Sequence, residues 1–280
     1  MSAVNDRQVF RTSPVFYFVL AFSISWVVWM VPLLASRGVL SMPGAVQIGL
    51  VVLGSFGPFI AAYVSLYRDG GWPAMRDFAK RSLRYHIGWI YLLAALFLVP
   101  LIGLCAAFVY ARLGGPTLAL AMSFAQIPLL FLVLFLVGGS VNEEFGWAYA
   151  IERLQQRRKL LSAAVILGVI WGFWHLPLFF IVGGSQSFMP FFAFLMFTIG
   201  ARVLFVWAYE GTGKSILVTL LFHTTANLTL NLFALVDRSP QRDERGFIAF
   251  GCLTLVAAAI VALTSRRYRS ALQPLTDYSL

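Results

Sequence analysis

Apolar residues along this chain gather into runs of about twenty, separated by short polar stretches. Eight such runs stand out, at residues 15–35, 46–67, 88–110, 118–141, 161–182, 189–209, 215–236 and 247–264. A helix rises about 1.5 Å per residue, so roughly 20 apolar residues cross the hydrocarbon core of a bilayer, and each run predicts one spanning helix. The first run is too long for the apolar core of a signal peptide and has no small-residue cleavage site behind it, so it too predicts a helix. One segment has a different character. In WPAMRDFAKRSLRYHIGW (72–89), Trp72, Met75, Phe78, Ala79 and Leu83 recur at helical spacing among Arg76, Lys80, Arg81 and Arg84. That pattern predicts an amphipathic helix lying in the membrane interface between the second and third spans. The expected fold class is all-α: a polytopic membrane protein forming a single integral membrane domain over 1–280, an eight-helix bundle with one interfacial helix.

Composition agrees. Hydrophobic residues make up 60% of the chain, charged residues 11%, and the mean hydropathy is +0.83, whereas a soluble domain holds about half apolar and a quarter charged residues. The net charge of +10 raises nucleic acid as a partner, but its distribution argues against it. With the N-terminus cytoplasmic, the inner segments hold Arg7, Arg11, Arg68, Arg76, Lys80, Arg81, Arg84, Arg153, Arg157, Arg158, Lys159, Lys214, Arg266, Arg267 and Arg269. The outer loops hold Arg37, Arg112, Arg238, Arg242 and Arg245. This bias follows the positive-inside rule, so the basic charge reflects topology and anionic lipid, with both termini cytoplasmic and no nucleic acid bound. The lack of eukaryotic sorting signals points to a bacterial inner membrane. Cys105 and Cys252 lie in separate apolar runs without metal-site spacing, and are expected as buried small hydrophobes. No internal repeat occurs, and the outer loop DRSPQRDERG (237–246) is too short for a domain.

Few ionisable groups fall at membrane depth: Glu143, Glu144, His175, Arg202 and His223. Such residues are costly in lipid and usually face a bundle interior. Glu143 and Glu144, in VNEEFGW (141–147), are about 100° apart on a helix, so only one can point at a common centre. Their bland reading is the solvated cytoplasmic end of the fourth helix, near Arg153. Trp171 and His175, in WGFWHLPLFF, share a helix face, and Pro177 loosens the backbone beyond them. His223, Asn227 and Asn231 fall at i, i+4 and i+8 in LFHTTANLTLN. Singly, such groups more often tie helices together. A carboxylate pair, a histidine and a His-x-x-x-Asn on three helices together suit proton transfer or metal binding. There is neither a GxSxG nor an HExxH. Depth is a difficulty: Glu143 is about 15 Å of helix from Arg153 and His175 about 24 Å from Lys159, levels that match only if the fifth helix tilts or starts late.

At these residues the chain resembles the CAAX protease and bacteriocin-processing family (CPBP, or Abi) of intramembrane endopeptidases. The family's marks, a Glu-Glu-x-x-x-Arg, a Phe-x-x-x-His and a His-x-x-x-Asn motif on successive helices, stand here as EEFGWA (143–148), WGFWH (171–175) and HTTAN (223–227). SISW, GSFGP and VWAYEGTGKSI extend the likeness over most of the chain. The resemblance implies an eight-helix bundle with a cavity open to the cytoplasmic side, a catalytic core at about 118–236, and hydrolysis of a membrane-associated peptide or protein by glutamate-activated water. Glu143 would be the general base, with Glu144 supporting it. His175 would hold or protonate around the water, and His223 and Asn227 would form an oxyanion hole. Trp171, Arg202 and Asn231 would support the site. If a divalent metal such as zinc took part, Glu143, His175 and His223 would be its ligands, although the resemblance implies no obligatory cofactor. Two departures stand out. Ala148 replaces the motif arginine and Trp171 its phenylalanine, and Arg202 is expected to take the arginine's place in space. Two alternatives remain: a catalytically degenerate scaffold or bacteriocin-immunity protein, and a proton-coupled transporter, although transporters usually show internal repeats.

Overall fold

The computed structural model describes residues 12–270, and every regular element among them is helical. In chain order these are α1 (Pro14–Ser36), α2 (Gly44–Gly54), α3 (Gly57–Ser82), α4 (Trp89–Leu93), α5 (Val99–Arg112), α6 (Ile127–Val137), α7 (Ser140–Gln155), α8 (Leu160–Trp174), α9 (Phe191–Gly211), α10 (Ile216–Leu232), α11 (Arg245–Thr264) and the short α12 (Arg266–Ser270). Local chemistry sets many of the boundaries. Ser13 caps α1 by accepting the Val15 N–H at 3.2 Å, ahead of Pro14 in the first turn. Pro100 has no N–H to return to the preceding turn, and a π-helical turn at Ala94–Leu98 joins α4 to α5 there, with the Ala95 carbonyl taking the Thr225 hydroxyl at 2.7 Å. Pro177 likewise ends the α-helical course of α8, and Leu176–Phe180 continues as 3₁₀.

Among the described residues six helical stretches are long and apolar enough to cross a membrane: Pro14–Ser36, Gly44–Ser82, Trp89–Arg112, Leu160–Phe180, Phe191–Gly211 and Arg245–Thr264. The predicted run 118–141 is not a continuous helix. It starts at Phe124, stops at Val137, and meets Ser140–Gln155 at a bend of 49°. The run 215–236 gives an apolar helix of only 17 residues, ending at Leu232. Each apolar run therefore has its helix, but eight uniform spans are not what the chain builds.

The amphipathic segment is shorter than predicted. The backbone leaves helical geometry at Gly70 and at Gly71, whose φ of 64° suits glycine. The helix then resumes and ends at Ser82 rather than at residue 89. Phe78 is buried while Trp72 and Leu83 are exposed, so only part of the expected stripe packs inward. Cys105 is exposed and Cys252 half-buried, which corrects the expectation of buried thiols. Both sit on outward helix faces alongside exposed Leu101, Phe108 and Val256, where an apolar thiol suits lipid as well as core.

Helix α7 lies at the centre, packed against α3, α8 and α10, while α9 joins α8 to α11. Among the described residues it is the one helix whose two ends both carry buried charge, and it organises the site.

Candidate active site

Helix α6 ends because of two glycines. The Gly138 N–H closes the last turn onto Leu134 at 2.9 Å. Gly139 adopts φ 103°, a conformation that side-chain-bearing residues rarely adopt, and it turns the chain inward to start α7. Glu143 and Glu144 thus stand in the first turns of a buried helix, 4% and 1% exposed, and not at a solvated helix end near Arg153. A helix N-terminus favours negative charge, and the angle between the two side chains gives them different partners.

Glu144 faces a cation. Arg202 of α9 grips it bidentately, Nη1 to Oε2 at 2.8 Å and Nη2 to Oε1 at 3.1 Å, and the guanidinium lies 4.3 Å from the centroid of the Trp171 ring. His223 Nδ1 is 2.8 Å from Glu144 Oε1. A carboxylate accepts, so this nitrogen carries the hydrogen and Nε2 presents its lone pair. Glu143 faces the other way. Its Oε2 accepts the indole N–H groups of Trp171 at 2.8 Å and Trp147 at 3.2 Å. Its Oε1 lies close against Gly139, where a Cβ would clash with it at 2.5 Å and stand 3.1 Å from His223 Nε2, so only glycine leaves both groups room. Among the described residues no lysine or arginine pairs with Glu143.

A cavity of about 300 Å³ opens from this point, lined by Glu143, His175, His223 and Asn227, with Trp29 and Trp171 among its walls. His175 caps α8 and bonds through Nδ1 to the Trp171 carbonyl at 2.9 Å, which leaves Nε2 free. Trp171, one turn earlier, is the residue of α8 that meets Glu143. The depth difference read from the sequence is therefore real, and His175 lines the wall a turn further along. Asn227 donates to the Gly138 carbonyl at 2.5 Å and retains a second amide hydrogen; Asn231 bonds the Asn227 carbonyl at 2.8 Å and is exposed. The five predicted residues share one neighbourhood but in two tiers, Glu143 with His223 over Gly139 and His175 beyond them. Among the described residues no three His, Cys, Asp or Glu side chains group as an ion site, and His175 stands a turn away from Glu143 and His223.

Several participants escaped the sequence reading. The indole of Trp147 and the glycine pair carry no charge and look like any apolar run. A second ionic layer closes the far end of α7. There Glu152 takes both Arg81 nitrogens at 2.8 and 3.0 Å, the Tyr209 hydroxyl at 2.8 Å and Lys214 at 3.6 Å. Arg153, assigned from the sequence to a loop, is buried and pairs with Asp69 at 3.0 Å and with the Thr12 carbonyl. Between this layer and Glu144 lies only a crevice of about 10 Å³, lined by Ala148, Arg202 and Tyr209 among others, barely room for one water. The cavity extends the other way, to the exposed Ser185 and Arg238 and to Gln186 and Val236.

Residues 124–229 match the family described as type II CAAX prenyl endopeptidase, Rce1-like. A protein of Methanococcus maripaludis named CAAX prenyl protease 2 is 24% identical over 273 residues, covering 92% of this chain and 97% of its own length. The matched stretch holds both glutamates, both histidines and Asn227, so the likeness to the CAAX prenyl endopeptidases falls on the residues of the candidate site.

Proposed function

We propose that the protein is an intramembrane endopeptidase that cleaves with a water activated by Glu143, in a bundle crossing a bacterial cytoplasmic membrane eight times with both termini inside. The observation that carries this reading is that Glu143, which among the described residues no lysine or arginine neutralises, lines one cavity with His223 and Asn227. A water in that cavity is within reach of the carboxylate. Glu143 takes its proton, the oxygen attacks the scissile carbonyl carbon, and the tetrahedral oxyanion is met by the free Asn227 amide hydrogen. The C–N bond breaks as the proton passes from Glu143 to the leaving amine. Glu144 and Arg202 hold His223 in orientation, much as a buried carboxylate orients a catalytic imidazole elsewhere. His175, a turn nearer the mouth, contacts the incoming chain.

This mechanism routes no step through a metal. The degenerate-scaffold reading drew on Ala148, but Arg202 supplies Glu144 with its cation from another helix, and neither that reading nor the transporter is favoured by the family matches. The relative's name makes a prenylated CAAX peptide the first substrate to assay. Glu143→Gln keeps size and hydrogen bonding but removes the base, so cleavage should fall by about 10²–10⁴-fold with the melting temperature unchanged. Wild-type turnover by that variant would end the proposal.

A further inference from the structure

Along α4 and α5 the bundle carries an apolar groove of about 660 Å³, lined by Leu93, Ala94, Phe97, Leu101 and Leu104 on one side and by Trp207 of α9 on the other. It shares no lining residue with the cavity of Glu143, so the proposed hydrolysis does not account for it. The π-helical turn at Ala94–Leu98 sits just ahead of Pro100. It turns Ala95 and Val99 into the bundle and leaves Phe97 and Leu101 60% and 56% exposed. Leu93 to Leu104 is about 16 Å of helix, close to the ~15 Å that one leaflet contributes to a bilayer core.

One end of the groove is polar. The Trp207 indole packs on Tyr91 with ring centroids 4.9 Å apart, and the Tyr91 hydroxyl accepts from Arg267 at 3.4 Å. Arg267 also donates to the Glu210 carbonyl at 3.2 Å, and Arg84 to the Gly213 carbonyl at 3.2 Å. Two exposed guanidinium groups thus stand on the turn that joins α9 to α10. The nearby carboxylates are engaged elsewhere: Glu210 accepts the Gln155 amide at 2.9 Å, and Glu152 takes Arg81 and Lys214. Tyr85 and Trp89, in the segment leading into α4, are each 74% exposed, and such rings gather at the level of lipid headgroups.

We propose that the groove binds an anionic glycerophospholipid, with one acyl chain lying along Leu93–Leu104 against Trp207 and the phosphate meeting Arg84 and Arg267. An apolar groove alone takes any lipid chain, and two arginines on an exposed turn take any anion. Joined at headgroup depth, they select a lipid with net negative charge. The bound lipid bridges α5 to the turn ahead of α10, the helix that carries His223 and Asn227.

The test uses the full chain in detergent and lipids with brominated acyl chains, which quench an indole they touch. Quenching at Trp207 is read as the difference between the protein and its Trp207→Phe variant. A basic residue near an anionic surface contributes about fivefold in affinity, so brominated phosphatidylglycerol should half-quench that component at a lipid fraction about 10–30-fold lower than brominated phosphatidylcholine. Arg84→Gln with Arg267→Gln should bring the two lipids to the same value, while Arg84→Lys with Arg267→Lys should keep the preference. Ala94→Phe fills the groove with both arginines intact, so it should weaken quenching by both lipids, and it carries the test if the glutamine pair fails to fold. Equal quenching by the two lipids in the unaltered protein would reduce the groove to general lipid contact and overturn the proposal. A preference that survives loss of both arginines, or quenching unchanged by Ala94→Phe, would overturn it as well. Displacement of the lipid by inorganic phosphate would make the arginine pair a soluble-anion site and end the lipid assignment. None of these readouts depends on cleavage, so failure of the Glu143 mechanism leaves them intact.

Discussion

Helix α7 carries buried charge at both ends, and the two ends are solved differently. At its C-terminal end Glu152 and Arg153 are matched with Arg81, Lys214 and Asp69. At its N-terminal end Glu144 is matched with Arg202 and His223, but its neighbour Glu143 has only neutral indole N–H groups and an open cavity. Matched charges hold helices in register. An unmatched carboxylate beside an open space contributes little to holding the fold and is placed to accept a proton. Depth of burial does not separate the two ends, since all four residues are under a tenth exposed. What separates them is whether the charge is matched.

The sharpest test of this contrast pairs one substitution from each end. Glu143→Gln should remove cleavage by about 10²–10⁴-fold and leave the thermal melt in detergent where it was. Asp69→Asn removes the carboxylate from a buried pair in which the Arg153 side chain is 1% exposed and that of Asp69 5%. Breaking a buried pair this way costs about 3–5 kcal/mol, so that variant should melt early while any molecules still folded cleave normally. If Glu143→Gln destabilises and Asp69→Asn does not, the distinction between the two ends collapses.

Next in size is an exchange of positions. Ala148 is one turn from Glu144 and lines the same crevice as Arg202. Arg202→Ala should lower both stability and turnover, since it unpairs Glu144. Ala148→Arg alone adds a second guanidinium to a space of about 10 Å³ and should destabilise by overpacking, about 1–3 kcal/mol. The double variant restores the family's arrangement on a single helix, and should recover much of the melting temperature and activity lost by Arg202→Ala. Purely additive losses in the four-member cycle would show that Arg202 does not stand in for the motif arginine.

How far the sequence foretold this arrangement depended on the kind of signal. Apolar runs are one-dimensional, and each of them located its helix. Arg202 was also legible, because an arginine at membrane depth needs a carboxylate, and Glu144 was one of two on offer. The break at Gly138–Gly139 was not, because hydropathy stays high through Val141 and only the conformation of Gly139 turns the chain. Nor was the ionic layer. Arg81 belongs to the stretch read as an interfacial helix and Arg153 to one read as a cytoplasmic segment, and the pairs they form join residues 71 and 84 positions apart, which no local pattern reveals. The likeness to a protease family named the chemistry, but the direction in which the cavity opens came from the packing.

A smaller effect probes Glu143 itself. Trp171 stands where the family motif has phenylalanine, and its N–H is one of two reaching Oε2. Trp171→Phe keeps a ring for Arg202 to lie against and leaves the Trp147 donor in place. The loss is one hydrogen bond, so kcat should fall by at most about tenfold with KM little changed. A collapse as deep as that of Glu143→Gln would mean that the indole positions the carboxylate outright, and that Glu143 is more tightly matched than the contrast with Glu152 allows.

The mildest effect belongs to the mouth. Asp237, in the loop before α11, accepts the backbone N–H groups of Asp243 at 2.9 Å and Ser239 at 2.8 Å and the Ser239 hydroxyl at 2.7 Å. These bonds, led by the Asp243 N–H, hold its carboxyl below the usual range, and the Arg245 guanidinium does the same for Asp243. Because the folded values lie below the unfolded ones, the order these groups lend the loop is complete above the unfolded pKa, about 4, and is lost as pH falls through the folded values. Residues 237–245 should therefore resist an acid protease at pH 5 and be cut progressively below about pH 4, while hydrogen exchange in α7 stays slow. Asp237→Asn, which loses the carboxylate as acceptor, should expose the same segment at neutral pH. The loop borders the rim at Arg238 and is far from the sealed ionic end, so its opening should alter access to the cavity before it alters the melt. A loop whose opening carried the whole bundle with it would place the mouth among the parts that hold the fold, and the division between a closed structural end and an open working one would fail.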